Sequence, residues 1–306
     1  MTINPVGIWP MLYAFFGADG GLDRASMRRQ VEMCVKEEAN GVAVLGLATE
    51  AAKLTEAERR TLVAWTAEDL DGRRPFAVTV TGDTSDEQIA MARFAVDAGA
   101  AWVILQPPRD TSIEELALAR LFGAVADACE VPVAIQNAPE YLGIGLTNES
   151  LKGLHRNHPN FSIVKAEAPA LAVKRLIDET DGALAVFNGR GGLEVMDNLR
   201  AGCAGMIPAP DFFDRQVRIF GLMRTVDAEN EDIAHQLYAD ILPGIVFSMQ
   251  SIDTLLCYGK RIASWRLGLG EVNDREPALA PTPFGLECAR RFAERLGPLG
   301  IDADRW

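Results

Sequence analysis

Asn160-Phe161-Ser162-Ile163-Val164-Lys165-Ala166-Glu167 is a short β-type run that ends on a lone cation. Its apolar residues read as buried, so Lys165 stands on the strand with neither solvent nor an ordinary ion pair to account for it. A lysine at a strand end commonly reaches water along its stem. Held in an apolar cavity instead, the amine loses hydration, its pKa falls, and it becomes a nucleophile toward carbonyl carbon. The run is one of eight of its kind, at 8–16, 42–46, 76–80, 102–106, 131–136, 161–165, 184–188 and 204–208.

Helical patterns with start signals lie between these runs. Thr55-Glu56-Ala57-Glu58, Ser85-Asp86-Glu87-Gln88 and Ser112-Ile113-Glu114-Glu115 each fit a capping box, in which a hydroxyl and a carboxylate or amide satisfy orphan amides reciprocally. A strand followed by a helix, repeated eight times, predicts a parallel sheet with helical crossovers. Eight such units close into a (β/α)8 TIM barrel. The runs are nearly all apolar rather than alternating, as expected where one face packs on helices and the other fills a barrel. An open doubly wound sheet is the competing architecture, but no GxGxxG follows the first run. Three further helical stretches, at 232–250, 253–267 and 284–296, form a C-terminal extension, with Pro281 and Pro283 in a loop before the last. No linker sets it apart, so the expected division is a barrel over 1–225 and a helical extension packed on it over 226–306.

The totals narrow the partners. With 48% hydrophobic and 24% charged residues, the 306-residue chain has an ordinary globular composition. A net charge of −13 argues against nucleic acid or an anionic membrane, both of which need a basic face. A small molecule is the expected partner. Cys34, Cys129, Cys203, Cys257 and Cys288 show no CxxC pair or metal spacing, and His155 and His158 lack a third ligand nearby. No metal or cofactor is expected, and a reduced cytoplasm fits best. The N-terminus has no basic region ahead of an apolar stretch, and run 8–16 is too short to span a bilayer.

Active sites of such barrels lie at the C-terminal ends of the strands. The candidates there are Gly46-Leu47-Ala48-Thr49-Glu50, Gln106-Pro107-Pro108, Gln136-Asn137-Ala138-Pro139, Lys165 with Glu167, Asn188-Gly189 and Ile207-Pro208. Lys165 and Glu167 are two apart, which puts them on one side of a strand. Glu167 is then a proton donor or acceptor beside the amine, or its counter-ion.

In these segments the chain resembles the dihydrodipicolinate synthase and N-acetylneuraminate lyase family of class I Schiff-base lyases. Gly46-Leu47-Ala48-Thr49-Glu50, followed by Leu54 and Thr55-Glu56-Ala57-Glu58-Arg59, is similar to the family's G-[ST]-T-G-E segment, leucine and helix start. Asn137-Ala138-Pro139 matches its N-x-P, Lys165 its strand-six lysine and Gly189 its strand-seven glycine. The resemblance implies an imine between Lys165 and a 2-keto acid, with Glu167 and Gln136 completing the catalytic set. Ala48, Thr49, Glu50, Asn137 and Gly189 are then the substrate-binding residues, with amides near Ala48 and Thr49 taking the carboxylate. It also implies a homo-oligomer, a tetramer by family habit.

The departures refine this. The family's two hydroxyl residues fall on Leu47 and Ala48, the tyrosine before N-x-P on Gln136, the tyrosine pair near Pro107 and Pro108, and a substrate-carboxylate arginine on Tyr141. Synthase activity proper is therefore not expected. Lys165, Glu167 and Pro169 beside a glutamine resemble the branch that dehydrates 2-keto-3-deoxy sugar acids. An aldolase on the same scaffold and a non-catalytic keto-acid-binding barrel are the alternatives. Bland readings stand beside several residues: Glu50 as a helix charge or cap, Gln136 as a barrel-filling polar residue, Tyr141 as loop packing. Gly189-Arg190-Gly191-Gly192 reads as a tight turn or an anion-binding loop.

Overall fold

In the computed structural model, residues 5–225 and 227–300 are described. Eight parallel strands, β1 (Gly7–Ile8), β2 (Val42–Val44), β3 (Phe76–Val80), β4 (Trp102–Leu105), β5 (Val133–Asn137), β6 (Phe161–Ala166), β7 (Ala185–Asn188) and β8 (Gly205–Met206), pair in the order β1-β8-β7-β6-β5-β4-β3-β2. The circle closes just beyond β1, where Met11 bridges Ala43 in parallel and Leu12 N–H donates to the Ala43 carbonyl at 2.8 Å. The fold is the expected TIM barrel.

Six of the eight strands are shorter than the apolar runs that announce them; β3 matches its run and β6 runs one residue past its own. Run 8–16 yields only Gly7–Ile8 as a strand; the Trp9 and Met11 amides still donate to the Met206 and Pro208 carbonyls, while Pro10 accepts from Ala43 N–H on the β2 side and has no N–H to give back. The residues after it stay buried, with Tyr13 N–H donating to Gln30 Oε1 at 2.8 Å. Inside the barrel Trp102 of β4 meets both Trp9 (centroids 5.2 Å apart) and Phe187 of β7 (5.6 Å). β4 and β7 stand three places apart in the ring of eight and do not pair, so these aromatic side chains meet across its interior. That packed floor leaves chemistry to the open, C-terminal end.

The start signals fare unequally. Thr55 forms its capping box with Glu58 ahead of helix Glu56–Leu70. The cap of helix Ser85–Asp97 is Thr84, one residue before the expected Ser85. The expected box at Ser112 does not form. Asp110 binds the amide and hydroxyl of Ser112, helix Glu115–Asp127 starts without a side-chain cap, and Glu115 instead receives the amide and hydroxyl of Thr147.

The extension consists of helix Ala228–Ser248, a bent segment of Ile252–Thr254, a π turn at Leu255–Gly259 and Lys260–Leu267, and helix Pro283–Leu296. The expected 225/226 boundary touches residue 226, outside the described residues. Arg266, 2% exposed, ties the extension to the end of β8: its guanidinium donates to both carboxylate oxygens of Asp214 (2.8 and 2.7 Å), to the Asp211 carbonyl (2.7 Å) and to the Gly297 carbonyl (2.9 Å). Burial alone would raise the Asp214 pKa, but Arg266 outweighs it and holds the carboxyl below its ordinary value. Among the described residues no single helix is long and apolar enough to cross a membrane.

Candidate active site

Lys165 is the fifth residue of β6, facing inward beside Phe187 of β7 and Gln136 of β5, its partners in register. It is 3% exposed and Glu167 5%. The period of two brings both side chains to the same side, and Lys165 Nζ lies 2.6 Å from Glu167 Oε1. Lys165 is thus not left without an ion pair: Glu167, expected on the same side as a proton donor or acceptor or as the counter-ion, lies in salt-bridge contact with it. Its partner sits two residues on, where the chain leaves the strand but Glu167 N–H still donates to the Asn137 carbonyl at 3.1 Å.

Gln136 Nε2 donates to the same Glu167 oxygen at 3.2 Å. Because a carboxylate only accepts, this contact fixes which end of the carboxamide is nitrogen. Gln136 Oε1 is buried and has no hydrogen-bond partner, so an acceptor stands ready beside the ion pair. Gly189 completes this corner by what it lacks. A Cβ there would lie 2.7 Å from Glu167 Oε1, so only glycine leaves the carboxylate its place against Lys165.

The β7 turn settles the reading of Gly189-Arg190-Gly191-Gly192. The Gly192 and Leu193 amides donate to the Gly189 and Arg190 carbonyls, and Gln216 Nε2 donates to the Gly191 carbonyl at 2.7 Å. Those amides are spent on a tight turn rather than presented to an anion. Arg190 takes the left-handed conformation (φ 49°) and Arg190 Nη1 donates to Glu194 at 2.8 Å. Tyr141 lies beside the Arg190 guanidinium and within electrostatic reach of Glu167; burial raises its phenol pKa.

Across the barrel mouth a cavity of about 790 Å³ is lined by Gly46, Leu47, Gln106, Pro107, Tyr141 and Leu256 among others. Its wall stops short of Lys165. Tyr141 is where the cavity and the buried charges meet.

Comparison with known proteins fits this geometry. Residues 4–248 match the dihydrodipicolinate synthetase family. The chain belongs to that family. Membership places it among lyases. The Escherichia coli protein YagE, described as a candidate 2-dehydro-3-deoxy-D-gluconate aldolase, is 28% identical over 216 residues, 70% of this chain and 72% of that one. The L-2-keto-3-deoxyarabonate dehydratase of Azospirillum brasilense is 27% identical over 217 residues, 68% and 69% of the two chains. A dihydrodipicolinate synthase structure from Rhodopseudomonas palustris superposes with a TM-score of 0.86 at 24% identity, over 96% of this chain and 99% of that one. The family match stops at residue 248, while the structural likeness runs on through the extension.

Of the residues singled out from the family pattern, Lys165, Glu167, Gln136 and Gly189 come together and the others take different posts. Asn137 spends its carboxamide on the loop, donating to the Leu146 carbonyl at 2.9 Å and accepting from its amide at 2.8 Å. The Thr49 hydroxyl donates to the Leu12 carbonyl (2.6 Å) and accepts from Leu45 N–H (3.0 Å), and its amide donates to the Gly46 carbonyl. Thr49 therefore braces the β2 turn. The Ala48 amide has no hydrogen-bond partner among the described residues.

Glu50 is neither an exposed charge nor a cap. It is buried in a left-handed conformation (φ 55°), makes no side-chain capping bond, and pairs with Lys53 at 2.7 Å and with Lys260 of the extension. Lys260 is 1% exposed, and burial pushes its pKa down against the pull of Glu50. Next to it, where Gly259 approaches Tyr13 and Asp211 closely, burial pushes the Asp211 carboxyl up to about 6. Sequence reasoning missed Lys260 and Asp211. Lys260 closes the apolar run Leu255-Leu256-Cys257-Tyr258-Gly259 as Lys165 closes its own, but Arg261 follows it directly and it opens a helix rather than standing on a strand.

Proposed function

We propose that the chain is a Schiff-base lyase that dehydrates a 2-keto-3-deoxy sugar acid through an imine at Lys165. The observation that carries this reading is the buried triad in which one carboxylate oxygen of Glu167 faces both the Lys165 ammonium and the Gln136 amide. At 2.6 Å, proton transfer from Lys165 to Glu167 needs no relay and leaves a neutral amine beside a neutral acid. The amine adds to the C2 carbonyl, Glu167 protonates the departing hydroxyl of the carbinolamine, and water and a protonated imine result. The iminium acidifies C3. Glu167, again a carboxylate, takes one C3 proton to give the enamine and passes it to the C4 hydroxyl, which leaves as water. Every carbon stays in the product. The partnerless Ala48 amide is assigned to the keto acid's carboxylate.

The aldolase reading stays open through Tyr141, a phenol beside Glu167. Retro-aldol cleavage takes a proton from the C4 hydroxyl. Gln136 has no useful pKa for that, and burial keeps Tyr141 protonated. The aldolase and dehydratase relatives match at nearly equal identity, so the choice rests on the site. We also assign a homo-oligomer, a tetramer, for which exposed Leu116, Leu171 and Phe284 offer apolar surface.

Incubation with pyruvate, borohydride reduction and peptide mapping should place the adduct on Lys165, and Lys165→Arg should abolish it. Labelling elsewhere, or none, rejects the imine. NMR of the product from a 2-keto-3-deoxy pentonate or hexonate should show every carbon retained; release of pyruvate and an aldehyde replaces dehydration with aldol cleavage.

A further inference from the structure

We propose that Lys260 of the extension is a positioning residue for the keto acid's carboxylate, acting through Glu50 on the turn after β2. The inference rests on the keto-acid reading and adds to its site a residue that touches no substrate atom: Lys260 sets how firmly the anionic end of a 2-keto acid is held.

The turn needs support from outside itself. Thr49 N–H donates to the Gly46 carbonyl at 3.1 Å and Glu50 N–H to the Leu47 carbonyl at 3.0 Å, while Leu45 and Glu50 are left-handed at φ 67° and 55°. Residues other than glycine keep such backbone only where their surroundings over-determine it. Gly46, Leu47 and Glu50 line the cavity, so the support has to come from behind. The Thr49 hydroxyl supplies part of it through the Leu12 carbonyl. Glu50 supplies the rest, one carboxylate oxygen accepting from Lys53 at 2.7 Å and the other from Lys260.

Of the two lysines, Lys260 is the fixed one. Its side chain is 1% exposed against 16% for Lys53, its ammonium lies 5.5 Å from the centroid of the Phe16 ring, and its backbone opens helix Lys260–Leu267 directly after the π turn. A carboxylate buried as deeply as Glu50 stays with its cation, since separation would leave a charge uncompensated. The pair thereby fixes the backbone two residues beyond Ala48, whose amide has no hydrogen-bond partner among the described residues. Leu256 of the π turn lines the cavity as well, so one segment both walls the site and anchors its carboxylate-binding turn. Such π turns are frequent at functional sites.

The bland role is a staple that holds the extension to the barrel. Pyruvate and pyruvamide separate the two roles, because they differ only at C1, a carboxylate in one and an uncharged amide in the other. Lys260→Met should raise the pyruvate concentration for half-maximal borohydride trapping, relative to that for pyruvamide, by about tenfold, the loss of one hydrogen bond to a charged acceptor. A lost staple would move both ketones alike and leave their ratio unchanged, which overturns the proposal. Glu50→Gln combined with Lys260→Met removes one buried charge of each sign, so neither an unpaired charge at full burial nor a change of net charge can account for its result. Its ratio should rise as far as that of Lys260→Met, and a wild-type ratio in the folded double variant overturns the positioning role. If the wild type traps no pyruvate at all, the keto-acid reading falls and this inference with it; trapping with a ratio that neither variant moves refutes the role of Lys260 alone.

Discussion

Gly189→Ala tests the catalytic corner without touching any reactive group. The added Cβ would stand 2.7 Å from Glu167 Oε1, 2.9 Å from its Cγ and 3.0 Å from its Cδ, against 3.4 Å for the start of ordinary contact. The carboxyl must therefore withdraw by roughly 0.7 Å, and it is held by a 2.6 Å pair with Lys165 and a 3.2 Å bond from Gln136. Misplacing a catalytic group by about 1 Å costs up to about 10²-fold in rate, equivalent to about 2.7 kcal/mol of barrier. Turnover of a 2-keto-3-deoxy sugar acid should drop by one to two orders of magnitude, roughly. Borohydride trapping with pyruvate, read after the imine has reached equilibrium, should fall much less, because Glu167 then sets only how fast the imine forms, Lys165 keeps its place on β6, and every turnover needs the carboxyl again after the imine exists. A thermal melt controls for damage to the fold. Full turnover in a folded Gly189→Ala protein would refute the placement of Glu167, and parallel loss of trapping and turnover would reduce Glu167 to an orienter of the lysine.

Arg266→Met takes its bidentate partner from buried Asp214 but leaves it Arg215 Nη1 at 2.9 Å, so the cost should be about 2–3 kcal/mol, below the about 3–5 kcal/mol of a wholly uncompensated buried charge, read in urea unfolding; a loss below about 1 kcal/mol, the scale of an exposed pair, would mean the pair is not held dry. Asp211 binds its proton in the folded state up to about 6 against an ordinary 3.8, so its presence lowers stability as pH rises through that window and penalises the fold fully above it. Asp211→Asn should therefore gain up to about 3 kcal/mol over wild type at pH 8, with the gain gone near pH 4, and a loss at pH 8 contradicts the assignment. Light scattering at micromolar concentration should return a tetramer mass; a monomer rules the assembly out.

The barrel was legible because each strand announces itself locally. Phe76–Val80 coincides with its apolar run, and the spacing of Lys165 and Glu167 foretold that they share a side. What escaped depends on residues far apart in sequence. Nothing near Asn137 says that its carboxamide will be taken by Leu146, and nothing near Glu50 points to a lysine 210 positions later. Left-handed backbone at Leu45, Glu50 and Arg190 is likewise invisible where the residue is not glycine, since tertiary contacts impose it against local preference. The missed cap at Ser112 is a competition between neighbours that Asp110 wins.

The pairing of Glu50 with Lys260 also orders events at the ribosome. At about 5–20 residues per second, the lysine is made roughly 10 to 40 seconds after the glutamate. During that interval the loop after β2 can rest on Lys53 but lacks the second cation that makes burial of Glu50 tolerable. The rim is finished last, by the extension. A chain released before residue 260 holds every residue assigned to the chemistry and still lacks the foundation of the turn that carries Ala48, which makes the final helices part of the enzyme's minimum rather than an ornament added to a finished barrel.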